Sequence, residues 1–159
     1  MIALLATHWR LLLESFCISM LPVIELRGGI VYAAVRGLPV ALAFAVCFLG
    51  NMMPIPFILL FLRKIFVWLE RFGPTQRLVK GLERRARKKG GKLEKFKLLG
   101  LFLLVAVPLP GTGAWTGALV SVVMDIQMKK ALPVIALGVF AAGCIMVTLS
   151  YFVPGLFGF

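Results

Sequence analysis

A carboxylate and a guanidinium stand two residues apart in Leu21-Pro22-Val23-Ile24-Glu25-Leu26-Arg27-Gly28-Gly29, inside otherwise apolar sequence. Charged groups at membrane depth are expensive unless they pair, face water or line a pathway, so Glu25 and Arg27 mark a candidate site. Arginine offers a planar fork of donors suited to phosphate or carboxylate. Glu25, alternating between a paired and a protonated state, is suited to coupling proton movement to such a substrate. A second cluster, Pro108 to Gly117 (PLPGTGAWTG), brings different chemistry. N–H groups of the Gly111-Thr112-Gly113 turn, with a helix starting near Ala114, would favour an anion. Trp115 would stack on the substrate or wall its cavity. A structural alternative stands beside this: Glu25 and Arg27 neutralise each other, and Gly111, Gly113 and Gly117 serve close helix packing.

The composition says what kind of scaffold must position these residues. The chain has 159 residues, 61% of them hydrophobic, and a mean hydropathy of +1.00. Soluble domains hold about 45–50% apolar residues, so the chain belongs in a membrane. Its length allows one compact domain of a few spans at about 20 residues each. Arg10 and Glu14 interrupt the N-terminal apolar run, and no small-residue cleavage site follows before the polar break, so no cleaved signal peptide is expected.

Residues 1–22 read as an apolar helix with Trp9, Arg10 and His8 suited to a membrane interface. Glu14 should face a neighbouring segment or that interface, with proton carriage as a secondary reading. Proline before Glu25 and two glycines after Arg27 predict irregular backbone over 22–29, then a short return to Arg36-Gly37. Leu38 to Leu62 spans the membrane, kinked near Pro54 and Pro56, with Asn51 facing protein. Arg71 to Lys97 carries 11 of the 18 basic residues behind a net charge of +12. Between two greasy halves this is an orienting cytoplasmic linker, not a nucleic-acid surface. Leu78, Val79 and Leu82 share one face of a surface helix there, ended by Gly90-Gly91. Leu98 to Val107 opens the second half, Ala118 to Met124 is its short return, Asp125 and Lys129 make a boundary ion pair, and Leu132 to Val153 is the last span.

The halves resemble each other. Leu21-Pro22 and Gly29 map onto Leu109-Pro110 and Gly117 at an offset of 88, and Leu38-Pro39-Val40 onto Leu132-Pro133-Val134 at 94. Paired interruptions at corresponding places are the best sequence pointer to a transporter site. If each break is the tip of a re-entrant hairpin, each half crosses once net and the halves are inverted. The rival is four full spans. Returns of about seven residues cover a third of a bilayer and favour hairpins. Cys17, Cys47 and Cys144 lack metal-type spacing, so neither metal nor cofactor is expected. One histidine, no nucleotide loop and no paired acid/base set speak against an enzyme.

Leu21 to Ile30, taken with Val107 to Gly117, resembles the small multidrug export protein family of prokaryotes, over nearly the whole chain. The resemblance implies kinship with the DedA superfamily, with two re-entrant hairpins each followed by a transmembrane helix. It also implies movement of polyprenyl-phosphate or other lipids, or proton-dependent drug tolerance. Glu25 and Arg27 match the acidic and basic residues of the first DedA hairpin. The second break carries Thr112 and Trp115 where DedA proteins usually have an arginine.

The expectation is an all-α integral membrane protein of two inverted repeats, 1–68 and 98–159, joined by a basic cytoplasmic linker, 69–97, in the prokaryotic cytoplasmic membrane. It would move an anionic or amphipathic substrate past Glu25, Arg27, Gly111, Thr112, Gly113 and Trp115, with Asn51, Glu14 and Asp125 secondary. Membrane lipids and the substrate are the expected partners, and a homo-oligomer would shield polar tips from lipid. The different-class alternative is a non-transporting membrane scaffold or regulatory subunit.

Overall fold

The computed structural model describes residues 2–70, 90–109 and 111–152, and these are helical throughout, without a strand among them. The first half holds α1 (Ile2–Met20), α2 (Glu25–Val35), α3 (Val40–Met52) and α4 (Ile55–Glu70). The second holds α5 (Gly90–Ala106), α6 (Ala114–Val123) and α7 (Met128–Val147), closed by a π-helical turn, Thr148–Phe152. The expected amphipathic helix of Leu78, Val79 and Leu82 and the C-terminal tail lie outside the described residues. Gly90 and Gly91, expected to end that helix, are instead the first residues of α5.

The first break is shorter than its composition predicts. Gly28 and Gly29 lie inside α2, and only Leu21 to Ile24 separate it from α1. The glycines serve contact, not flexibility: a Cβ on Gly29 would fall 1.9 Å from Ser19 Oγ and 3.2 Å from the Ser15 carbonyl. Farther along, the Tyr32 hydroxyl donates to Glu14, so α2 runs antiparallel along α1. Glu14 thus faces a neighbouring segment, as its position requires. The returns α2 and α6 are 11 and 10 residues long, longer than the expected seven because each helix begins at the break itself.

Pro54 and Pro56 have the expected effect. α3 ends at Met52 and α4 resumes at Ile55, since proline lacks a donor and clashes with the preceding turn. Across this kink, Val40–Phe66 is long and apolar enough to cross a membrane, as is Met128–Phe152. Only 28% of the apolar window of each is buried. Phe57, Phe61 and Trp68 on α4 and Leu137 and Phe140 on α7 are exposed. A soluble core helix would be covered; these faces match lipid.

The same local structure recurs 88 positions along. The C-caps of α2 and α6 have near-identical torsions, Arg36 at φ −85, ψ 3 and Met124 at φ −83, ψ 3. A left-handed residue follows each, Gly37 at φ 72 and Asp125 at φ 51. Next comes a buried residue whose N–H reaches back five positions, Leu38 to Ala33 O at 2.9 Å and Ile126 to Ser121 O at 2.8 Å, a Schellman-type ending. Pro39 and Gln127 then cap α3 and α7 with the same φ −56, ψ 137. This corrects the expected offset of 94: Pro133 lies inside α7 and is not the counterpart of Pro39. Before the breaks the offset is 86, since α1 ends at Met20 and α5 at Ala106, so the second break is the longer one. α1 packs on α3 as α5 packs on α7. Gly50 meets the Phe16 carbonyl and Gly138 the Phe102 carbonyl, the close backbone approach by which small residues join helices in lipid.

Candidate functional site

Each charged residue of the first break serves a helix end at the second. The Glu25 carboxylate accepts the Ala114 N–H through Oε2 at 3.2 Å and the Trp115 N–H through Oε1 at 3.1 Å. These are donors of the first turn of α6, which a helix leaves unpaired, and a carboxylate there also meets the positive end of the helix dipole. Arg27 turns toward the end of α5. Its Nη1 donates to the Leu109 carbonyl at 2.5 Å, and its Nη2 to the Val107 carbonyl at 3.0 Å and Thr112 Oγ1 at 3.1 Å. Thr112 Oγ1 also accepts the Leu109 N–H and donates to the Val107 or Leu109 carbonyl. Glu25 and Arg27 form no direct salt bridge with each other; each makes its hydrogen bonds across the halves.

Backbone shape makes this possible. Glu25 sits at φ 53, a left-handed conformation that non-glycine residues rarely adopt, and it persists because the carboxylate is held at its far end. Its counterpart 88 positions on is Gly113, at φ 149. A Cβ there would fall 1.9 Å from Glu25 Oε2. One carboxylate therefore fits where the breaks meet because the residue opposite has no side chain.

Glu25, Arg27, Thr112 and Gly113 come together, joined by Trp115 through its backbone N–H; the buried Trp115 Nε1 has no partner. Gly111, at φ 81, is exposed, and its carbonyl accepts from Thr116. Asn51, expected to face protein, is 2% exposed and lines a small cavity with Glu25, Arg27, Gly113 and Val139. Glu14 and Asp125 lie elsewhere, the latter exposed in the turn after α6. The expected Asp125–Lys129 pair does not form; Lys130 meets Glu94 at 2.5 Å instead.

Sequence reasoning missed the carbonyls of Val107 and Leu109 and the N–H groups of Ala114 and Trp115, because backbone groups carry no residue signature. It also missed the far end of α6. There Lys97 Nζ donates to the Met124 carbonyl at 2.9 Å and Arg63 Nη2 to the Ile126 carbonyl. Their place next to the basic linker was visible; the helix end they serve was not.

Two helices long and apolar enough to cross a membrane, with a polar junction between two helix breaks, fit a membrane protein that is helical over its described residues. A family model described as "Putative small multi-drug export protein" matches residues 25–145. The chain belongs to this family. No curated protein and no solved structure matches it.

Proposed function

We propose that this protein is a carrier in the prokaryotic cytoplasmic membrane, exporting an anionic or amphipathic substrate, a lipid phosphate or a small-molecule drug, in exchange for protons. Two inverted repeats, each a re-entrant hairpin followed by a transmembrane helix, present Glu25, Arg27, Thr112, Gly113 and Trp115 at mid-membrane, in the manner of the DedA superfamily. The observation that carries this is the hold of Glu25 on the N-terminus of α6. A carboxylate in that position is a charge-dependent latch. Ionised, it accepts two N–H bonds and pairs with the helix dipole; protonated, it loses the charge that strengthens both. The loosened breaks then part, and the terminal N–H groups of Arg27 exchange carbonyls for the anionic group of the substrate. The recurrence of caps and close contacts 88 positions apart supports two equivalent halves moving about this junction.

Proteoliposome uptake tests the reading. With an imposed pH gradient, the wild type moves substrate, Glu25→Gln loses the response to the gradient, and Arg27→Ala loses transport. Loss in Arg27→Ala for a phosphate-bearing lipid but not for cationic drugs assigns lipid translocation. Equal rates in all three proteins remove both residues from the mechanism. One observation favours the second reading, a non-transporting scaffold. Glu25 and the terminal nitrogens of Arg27 are already satisfied by protein, as a purely structural junction requires. The scaffold predicts no uptake of any substrate.

A further inference from the structure

The cavity at this junction has one wall that the latch does not explain. Asn51 lies on α3, is 2% exposed, and its Oδ1 meets no protein partner. Arg27 Nε, also buried, donates to nothing in the protein although the two terminal nitrogens are engaged. Both residues line the same cavity as Glu25. A buried acceptor and a buried donor left unpaired around one space call for a ligand that serves both.

Size and charge narrow the ligand. The cavity volume is about 10 Å³, close to what a single water needs. An organic substrate is far too large while the breaks are closed. A bare cation would face the Arg27 guanidinium, and a bare anion the Glu25 carboxylate, so the ligand is neutral and polar. The lining has a further asymmetry. Glu25, Leu26 and Asn51 face Gly113, Ala114 and Val139, each pair 88 positions apart. Every polar member comes from the first half, so the ligand is held on that side.

We infer that the cavity binds one water molecule, which accepts from Arg27 Nε–H and donates to Asn51 Oδ1 and to the Glu25 carboxylate, and that Glu25 exchanges its proton through it. A proton reaching this water from bulk solvent ends on a Glu25 oxygen as the water's O–H bond to that proton breaks, leaving the water neutral. Asn51 is a positioning residue: it fixes the water and does not itself ionise. The proton-transfer half of this inference rests on the proposed role of Glu25; the water site does not.

Two measurements test it. A crystal structure in a lipidic mesophase, at a resolution that shows waters, has one density peak within hydrogen-bond distance of Asn51 Oδ1, Arg27 Nε and a Glu25 oxygen. A dry cavity, or the three groups closed onto one another, overturns the site. Infrared spectroscopy then follows deuterium entering the carboxyl band that disappears in Glu25→Gln. Asn51→Leu slows that exchange at least tenfold, and Asn51→Gln, which keeps the amide, restores it in part. Should Asn51→Leu not fold, Asn51→Ala serves, with a smaller slowing of severalfold. Exchange at the wild-type rate in the leucine or alanine variant, or no Glu25 band at any pH, overturns the proton route. A water peak and Asn51-dependent exchange without substrate uptake leave this inference standing and sink the carrier.

Discussion

Glu25 occupies a left-handed backbone conformation and Gly113 faces its carboxylate, so the two residues constrain each other. Gly113→Ala puts a methyl group where the carboxylate lies and forces a φ of 149 on a residue with a Cβ. At Gly111 the backbone is also left-handed, at φ 81, but a Cβ there would meet nothing within 4 Å beyond its two chain neighbours. Gly111→Ala therefore costs about 1–2 kcal/mol of backbone strain, while Gly113→Ala costs that plus the latch and gives little folded protein. Thermal unfolding in detergent separates the two; equal losses contradict the account. Glu25→Gln keeps one acceptor oxygen but presents an amide donor to the other N–H, costing about 1–3 kcal/mol. These roles were half legible in sequence. The pair Glu25 and Arg27 stood out because charge in apolar sequence is expensive, and Gly111, Thr112 and Gly113 because they form a turn. What they touch was hidden, since the partners are backbone groups 80 to 90 positions away.

α6 is a ten-residue helix with a carboxylate at its first N–H groups, the Lys97 cation on the carbonyl of its C-cap residue Met124, and the Arg63 cation on the Ile126 carbonyl in the turn just beyond. Both ends are matched to the helix dipole, at about 0.3–1 kcal/mol per charge and up to about 2 where partly buried. Arg63→Leu should lower the unfolding midpoint more than Lys97→Leu, because the Arg63 contact is partly buried and the Lys97 contact exposed. The reverse order contradicts the clamp. Asp125 sits at φ 51 in the turn where the first half has Gly37 at φ 72. Asp125→Gly should raise stability by about 0.5–1 kcal/mol and Gly37→Val should lower it, read from the same unfolding curves. The start of α6 at Ala114 and the kink at Pro54 were readable, because glycine-rich turns and prolines act locally. The extent of α2 was not: Gly28 and Gly29 look like a break, yet Ser15, Ser19 and Cys47 pack against Gly29 and favour helix. The register of the halves was misread because a Leu-Pro pair looks the same at a helix cap as inside the second turn of α7.

For the whole molecule, the two apolar spans were legible because stretches of 27 residues, kinked at Met53-Pro54, and 25 residues leave a strong composition signal. The meeting of the breaks was legible only as an expectation, since no local rule brings residues 25 and 114 together. Packing of α3 and α2 on α7 and of α4 on α6 does that, and it leaves the outer faces of α4 and α7 apolar. The proposed carrier requires a water-reachable junction at mid-membrane that opens to alternate sides. The most direct test places a thiol at Thr112 in a protein with Cys17, Cys47 and Cys144 replaced by alanine, with Gly111→Cys as a second position. Oriented vesicles are then treated with a membrane-impermeant maleimide from each side, with and without a pH gradient. The carrier predicts labelling from both sides, with the gradient changing the ratio and Glu25→Gln abolishing that change. A thiol that stays unreactive from both sides under every condition contradicts it.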